Sequence, residues 1–234
     1  MSEAKPVSRA VLKLSGEVLR SDSGPLDEGA LVFFAREIAA ARSEGTQLAV
    51  VPGGGNVARG SALPHLPAHA GHTIGMLSTL INAVALREAL ADQGVPTVLQ
   101  SAVPCPGIAG PVDVWAGREA LADGQVLLLA GGTGSPFVTT DTAAVIRALA
   151  LEAELVAKGS KVGGIYDSDP NDNVRAVPIA RLTHADYLSR GLKVMDAAAV
   201  SIAGEHNLPL IVFKATEPGT LVGAICGRTG SRIG

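Results

Sequence analysis

Aromatic side chains make up only 3% of the 234 residues, and cysteine appears just twice. The first scarcity leaves Ala, Val, Leu and Ile to build the core, and a hydrophobic content of 47% is enough for a sizeable one. The second excludes a disulfide framework. Cys105 and Cys226 lie far apart and match no metal or redox spacing, so they are expected as buried thiols. Positive charge is also in short supply. A net charge of −3 gives no broad basic footprint for nucleic acid, although a local basic pocket for an anion stays open. No stretch reaches the roughly 18 consecutive apolar residues of a membrane span. The opening residues MSEAKPVSRA lack the apolar core of a secretory signal. The expectation is a soluble, cytoplasmic chain with no membrane partner. Two phosphate-binding patterns are missing as well. There is no G-x-x-x-x-G-K-[ST], which excludes a P-loop, and no G-x-G-x-x-G after a strand, which argues against a dinucleotide site.

What is plentiful is glycine, 28 residues in all, much of it in clusters that follow apolar runs. The runs at Arg9 to Leu14, Gln47 to Val51, Pro96 to Gln100, Gln125 to Ala130, Leu155 to Lys158 and Pro209 to Phe213 read as buried strands. Helical periodicity separates several of them, over Asp27 to Ser43, Gly75 to Asp92 and Thr139 to Leu151. Continuously apolar strands alternating with helices predict an α/β fold with a mostly parallel sheet covered on both faces. One domain over 1–234 is expected. A soft boundary near Ala150 would divide two lobes of a single structure, with no repeat and no long linker.

Four glycine-bearing segments follow predicted strands: LKLSGE (12 to 17), PGGGNVARG (52 to 60), AGGTGSPFVTTD (130 to 141) and AKGSKVGGIYDSDP (157 to 170). Each alone reads as a turn. Four at one edge of one sheet read as backbone N–H groups offered to phosphate oxygens, because ligands of such sheets sit beyond the strand carboxyl ends. Phosphoryl transfer needs positioning and positive charge on the moving group. Lys13, at the end of the first strand, suits that charge, or is simply an exposed lysine. Arg59 suits a bidentate grip on an acceptor phosphate, or is a surface arginine. Asp141 caps a helix or, more pointedly, orients Lys13.

Taken together, VLKLSGE, VPGGGNVARG, GMLSTLINAVALREAL, GGTGSPFVTTDTAA, KVGGIYDSDP and GLKVMDAAA resemble the bacterial uridylate (UMP) kinases of the amino-acid-kinase superfamily, in order and spacing over nearly the whole chain. The resemblance implies a three-layer α/β/α sandwich, a homohexamer, and transfer of the ATP γ-phosphoryl group to UMP with Mg2+ carried by the nucleotide. GTP and UTP are candidate effectors. It implies that Lys13, Leu14, Ser15 and Gly16 meet the ATP phosphates, with Lys13 as the transition-state cation. Gly54, Gly55 and Arg59 hold phosphates, Gly54 on the UMP side, Gly55 on the ATP side and Arg59 mainly that of UMP. Thr133, Gly134, Ser135, Pro136, Phe137, Val138, Thr139 and Thr140 wrap UMP. Asp141 and Asp196 support Lys13, so the catalytic set is Lys13, Arg59, Asp141 and Asp196. Ser160, Tyr166 and Asp169 face the ATP nucleoside. The part up to about residue 150 binds the acceptor and the rest binds the ATP nucleoside.

The chain departs from that pattern at the acceptor and effector positions. Gly71-His72-Thr73 replaces a stretch with a ribose-binding Asp, so His72 takes that place on UMP. Gly163 replaces an Asp, Ser135 an Asn, Val138 a Phe and Val98 an Arg. A kinase for another small acceptor, or a homologue that binds nucleotide or oxyanion without turnover, therefore stand as alternatives. His65, His69 and His72 have the i, i+4, i+7 spacing of a helical metal site. Pro64 and Pro67 are expected to interrupt a helix there, leaving a flap over the acceptor and no resident metal. Trp115 is expected to pack as a structural residue, the LREAL stretch (86 to 90) to lie in a core or dimer helix, and Asp167, Asp169 and Asp172 to form an acidic turn.

Overall fold

The computed structural model describes residues 5–58, 65–168 and 172–234. In chain order the elements are β1 (Arg9–Leu14), α1 (Glu28–Ser43), β2 (Gln47–Pro52), α2 (Ala68–Asp92), β3 (Thr97–Ser101), β4 (Gly110–Pro111), α3 (Val114–Ala122), β5 (Val126–Ala130), α4 (Thr140–Ala150) and β6 (Leu155–Ser160). There follow β7 (Ile165–Tyr166), β8 (Pro178–Ile179), β9 (Arg181–Leu182), α5 (His184–Ser189), α6 (Ala197–Glu205), β10 (Leu210–Lys214), α7 (Thr220–Ile225) and β11 (Ser231–Ile233). A 3-10 turn, Gly16–Leu19, leaves the end of β1.

Nine strands form one sheet in the order β4-β3-β5-β2-β1-β6-β10-β11-β9, while β7 and β8 form a small ribbon. All pairs in the large sheet are parallel except β10 with β11. The fold is thus the predicted α/β type. Because alternate residues of a strand face opposite ways, the sheet builds two cores. Leu12, Leu14, Leu48, Val50 and Leu128 pack with α1, α2 and α7 on one face. Val11, Ala49, Val51, Leu127, Leu129 and Val156 pack with α4 and α6 on the other. Lys13 shares its parity with Val11, so its side chain is delivered to the α4 face. β1 sits between β2 and β6, and the chain leaves it first toward β2, β5 and β3 before returning on the far side with β6 and β10. The carboxyl ends of β1, β2, β5 and β6 flank that divergence, the usual place for a ligand crevice.

Helix α1 follows the sequence closely. Asp27 caps it by accepting the Ala30 N–H at 2.8 Å, and Phe34, Ala35, Ile38 and Ala41 are buried. Helix α2 corrects the reading at its start. It begins at Ala68, not Gly75, because Pro67 stands at the N-cap with φ −56°, where proline's missing N–H costs nothing and its fixed φ suits helix entry. His69 and His72 therefore lie on α2 three residues apart, and His65 precedes it. Long and apolar enough by length and composition to span a membrane, α2 buries Leu80, Ala83, Leu86, Ala89 and Leu90 in the core.

Trp115 is a second correction: it is 74% exposed. Helix α3 turns Gly117, Ala120 and Leu121 inward, and Trp115 falls on the opposite side, under the Arg118 guanidinium at 5.4 Å from the ring centre. Cys226 is buried and Cys105 half-buried, both as free thiols.

Candidate active site

Parallel pairing of β1 with β6 sets Lys13 directly beside Lys158. In-register neighbours point to the same face, so two ammonium groups meet under the sheet edge, with Lys13 7% and Lys158 8% exposed. Two buried like charges at that spacing are viable only with a carboxylate between them. Helix α4 supplies it. Thr139 caps the helix by accepting the N–H groups of Asp141 and Thr142, which fixes Asp141 in the first turn, where the helix dipole also favours a negative charge. Asp141 Oδ1 lies 2.9 Å from Lys13 Nζ, and its Oδ2 accepts from Lys158 Nζ at 2.5 Å. Lys158 also donates to the Val194 carbonyl.

Burial alone would raise the Asp141 carboxyl. The two ammonium groups, Lys13 foremost, outweigh it and hold that carboxyl below its ordinary value. Asp141 is therefore charged at neutral pH. Its stabilising effect is present above the ordinary carboxylate range and is lost as pH falls through the depressed value. Lys158 is shifted down by burial first and by Lys13 second, with Asp141 pulling the other way. The three groups together carry one net positive charge at the sheet edge.

Asp196 acts at one remove. It caps α6 by accepting from Ala199 N at 3.0 Å. It also accepts from the Thr139 hydroxyl, and from Thr142 Oγ1 at 2.8 Å, while its own N–H reaches Asp141 Oδ2 at 3.4 Å. It ties the starts of α4 and α6 together. Behind it, the buried Tyr187 hydroxyl accepts from Met195 N at 2.6 Å and donates to Met195 O at 2.8 Å. Burial pushes that phenol up to about 12, so it keeps its proton. Tyr187→Phe leaves both Met195 backbone groups unsatisfied. The expected result is a loss of about 1–3 kcal/mol of stability, read as a lower urea midpoint with unchanged slope.

The glycine loops are fastened from α2. Asn82 donates to Gly53 O at 2.6 Å and exchanges amide hydrogen bonds with Asn56 at 2.7 and 2.8 Å. Thr79 Oγ1 accepts the Gly131 N–H at 2.8 Å. Gly54 and Gly16 are among the positions that admit only glycine. A Cβ on Gly54 would stand 2.6 Å from Gly75 O and 2.8 Å from Ser78 Cβ. One on Gly16 would stand 2.8 Å from Gly55 N. The β1 and β2 loops therefore interlock over the end of the sheet. Leu14 contributes through its backbone, accepting Gly53 N at 2.7 Å, while its side chain lies in the core. Ser15 donates its N–H to Gly159 O at 3.1 Å, and its hydroxyl makes no capping bond.

Two cavities flank this edge. One, about 540 Å³, brings together Gly54, Gly55, His72, Met76, Val138, Thr139 and Thr140. Phe137, 66% exposed with φ +68°, lays its ring 4.7 Å from that of His72. Thr133 is not in this wall; it hydrogen-bonds to Ser135 and lines a separate hollow with Ser101, Ala102 and Arg147. Gly134 packs against Ala102, and Ser135 and Pro136 carry the loop on to Phe137. The other cavity, about 410 Å³, is lined by Val162, Gly164, Tyr166, Asp167, Arg190 and Lys193, among others. Ser160 is buried at its approach, accepting Val162 N at 3.1 Å. Arg59 and Asp169, and Pro64 beside the histidines, lie outside the described residues.

A buried lysine pair bridged by a helix-start carboxylate thus lies beneath interlocked glycine loops, between two cavities. The model of the "Amino acid kinase family" matches residues 8–214. The chain belongs to the amino acid kinase family. Similar to it are a uridylate kinase of Agrobacterium fabrum, 42% identical over 231 residues (97% of this chain and 96% of the relative), and one of Bradyrhizobium diazoefficiens, 43% identical over 220 residues (93% and 92%). Among solved structures, a UMP kinase from Bacillus anthracis superposes with a TM-score of 0.93 at 30% identity, covering 97% of this chain and 96% of that one. A UMP kinase from Ureaplasma parvum gives 0.91 at 32%, covering 97% and 98%.

In this amino acid kinase, several site residues escaped the sequence reading. Asp113 and Thr183 are helix caps whose spacing was visible, Thr183 with Asp186 as a full capping box. Asn56 and Asn82 carried no local signal, since their partners are 26 residues apart. Lys158 read as a strand end, and only the register with β1 reveals it.

Proposed function

We propose that the chain is a UMP kinase that transfers the γ-phosphoryl group of MgATP to UMP, giving UDP and ADP. The carrying observation is its full-length identity of 42% to a uridylate kinase. The ion-paired Lys13 and Asp141 at the sheet edge fit that chemistry. A phosphate oxygen of UMP forms the new P–O bond as the bond from the γ-phosphorus to the β-bridging oxygen breaks. The UMP phosphate is already anionic, so no general base is needed, and the work is positioning and charge neutralisation. Lys13 faces the charge that builds on the transferring group, with Asp141 setting its position. Interlocked backbone at Gly16, Gly54 and Gly55 offers N–H groups to phosphates, joined by the Ser15 hydroxyl and Arg59. Mg2+ arrives on ATP.

UMP takes the cavity of Gly54, His72, Val138, Thr139 and Thr140, with Phe137 at its rim against His72 and Thr133 in the neighbouring hollow. The ATP nucleoside takes the cavity of Tyr166, with Ser160 at its approach, and Asp169 is assigned to the same nucleoside from the sequence resemblance. The assignment divides the chain near residue 150 into an acceptor part and an ATP part of one domain. Exposed Leu77 and Ile81 on α2, 43% and 45% accessible, support association of copies, a homohexamer in our reading. The compartment is the cytoplasm, and GTP and UTP are its candidate effectors.

One observation favours a second reading, a kinase with another small acceptor. His72 stands where the resemblance places a ribose-binding carboxylate, and its ring rests against Phe137. ADP formation from MgATP against UMP, CMP, dUMP, AMP, GMP, glutamate, aspartate and carbamate separates the two. Turnover with UMP above all others is the expected result. Turnover only with another acceptor would replace UMP, and none at all would leave a binding protein. His72→Asp is expected to tighten UMP about tenfold by adding a charged acceptor for the ribose hydroxyls. Equal or weaker affinity by calorimetry would count against placing the ribose there.

A further inference from the structure

We propose that Lys158 is a positioning residue for phosphoryl transfer: it occupies one oxygen of Asp141 and so keeps that carboxylate from neutralising Lys13. The inference rests on the kinase reading above, and it concerns a residue that reading leaves idle.

Lys158 and Lys13 are register partners on adjacent strands, aimed at the same carboxylate. Their engagement differs. Lys158 Nζ hydrogen-bonds Asp141 Oδ2 at 2.5 Å and also donates to the Val194 carbonyl, so it is anchored between α4 and the segment before α6. Lys13 Nζ is at ion-pair distance from Oδ1, 2.9 Å, yet Oδ1 accepts no aligned hydrogen bond among the described residues. One lysine is tied down and the other is left with hydrogens to direct elsewhere. Asp196 also acts on Lys158, but its oxygens sit on Thr139, Thr142 and the start of α6.

The charge count gives the consequence. With Lys158 present, the two lysines and Asp141 carry one net positive charge, and Asp196 is held on Thr139, Thr142 and the start of α6. Without it, both oxygens of Asp141 turn to Lys13, and that charge is cancelled. The charge matters most when negative charge moves onto the transferring oxygens, so the loss falls on turnover more than on binding.

A double-mutant cycle of Lys158→Met and Asp141→Asn in the full chain tests this, with urea unfolding as the control for folding. Steady-state rates with MgATP and UMP are one readout. Acylation of Lys13 by acetic anhydride, followed by mass spectrometry, is the other and needs no turnover. Lys158→Met is expected to lower kcat on the order of thirtyfold, less than removing a direct donor. Both KM values should stay within about threefold, and Lys13 acylation should slow severalfold. In the Asp141→Asn background the loss should shrink to under about threefold, since coupled residues are not additive. Lys158→Gln, which keeps a donor for that oxygen without the charge, should move kcat and Lys13 acylation in the same direction by a smaller factor, and serves if the Met variant does not fold. Additive losses would overturn the proposal, as would a raised KM at unchanged kcat or unaltered Lys13 acylation. If the unmutated chain turns over no UMP, the kinase reading fails by itself, and the acylation arm alone decides the role of Lys158.

Discussion

Lys13→Ala lowers kcat by about a hundred- to a thousandfold while leaving the fold intact. The size follows from the loss of one preorganised charge where the transition state builds negative charge, about 3 kcal/mol. The intact fold follows from the geometry. Asp141 keeps Lys158 at 2.5 Å, so removing Lys13 strands no buried charge. The small cavity left by the lysine stem lies at the crevice, near the cavities that flank the sheet edge. Steady-state rates at saturating MgATP and UMP, with a urea curve on the same sample, check both halves. A variant retaining near-normal turnover would remove Lys13 from the chemistry.

Asp141→Asn has the opposite balance. It leaves Lys13 and Lys158 side by side in register, each under 10% exposed, with no anion between them. Removing one partner of a buried ionic cluster costs about 3–5 kcal/mol, because the charges left behind are uncompensated. The pH dependence fixes the cause. In the variant, burial and the neighbouring Lys13 push Lys158 down with no carboxylate to oppose them, so the folded state binds fewer protons than the unfolded one. Stability then rises with pH as one lysine gives up its proton. Asp141 in the unmutated chain has the depressed carboxyl of a folded-state ion pair, which gives stability that is lost only at acid pH. The difference between the two proteins should therefore be widest near neutrality and narrow in alkaline buffer. Urea midpoints across that range give the result, and a constant offset would mean that packing, not charge, explains the loss. Turnover should fall with it, since Lys13 loses its reference point.

The two variants also separate roles that one distance cannot. Lys13 and Lys158 both touch Asp141, yet only the aspartate holds the cluster together. Asp196 and Tyr187 sit behind it and set the segment to which Lys158 is anchored, through the Val194 carbonyl and the two hydrogen bonds to Met195.

The sequence by itself determined the alternation of buried strands and helices, because a strand covered on both faces must be apolar throughout, and local periodicity records that. It determined the glycine segments at the strand ends and marked Lys13 and Asp141, each beside its own turn or cap. It did not disclose the short pieces, β7 to β9 and α5, whose two to six residues are too few to show a period. Trp115 read as core because large aromatics usually are; which face of α3 meets the sheet is decided by packing, and there Gly117, Ala120 and Leu121 won the inner side. The histidine stretch read as broken by proline, whereas Pro67 starts α2. Above all, only the tertiary structure could join Lys158 to the site. Its partner Lys13 is on another strand and its carboxylate on a helix between them in sequence. What puts the three within hydrogen-bonding reach is the register of β1 against β6, a property of the paired strands that neither strand carries alone.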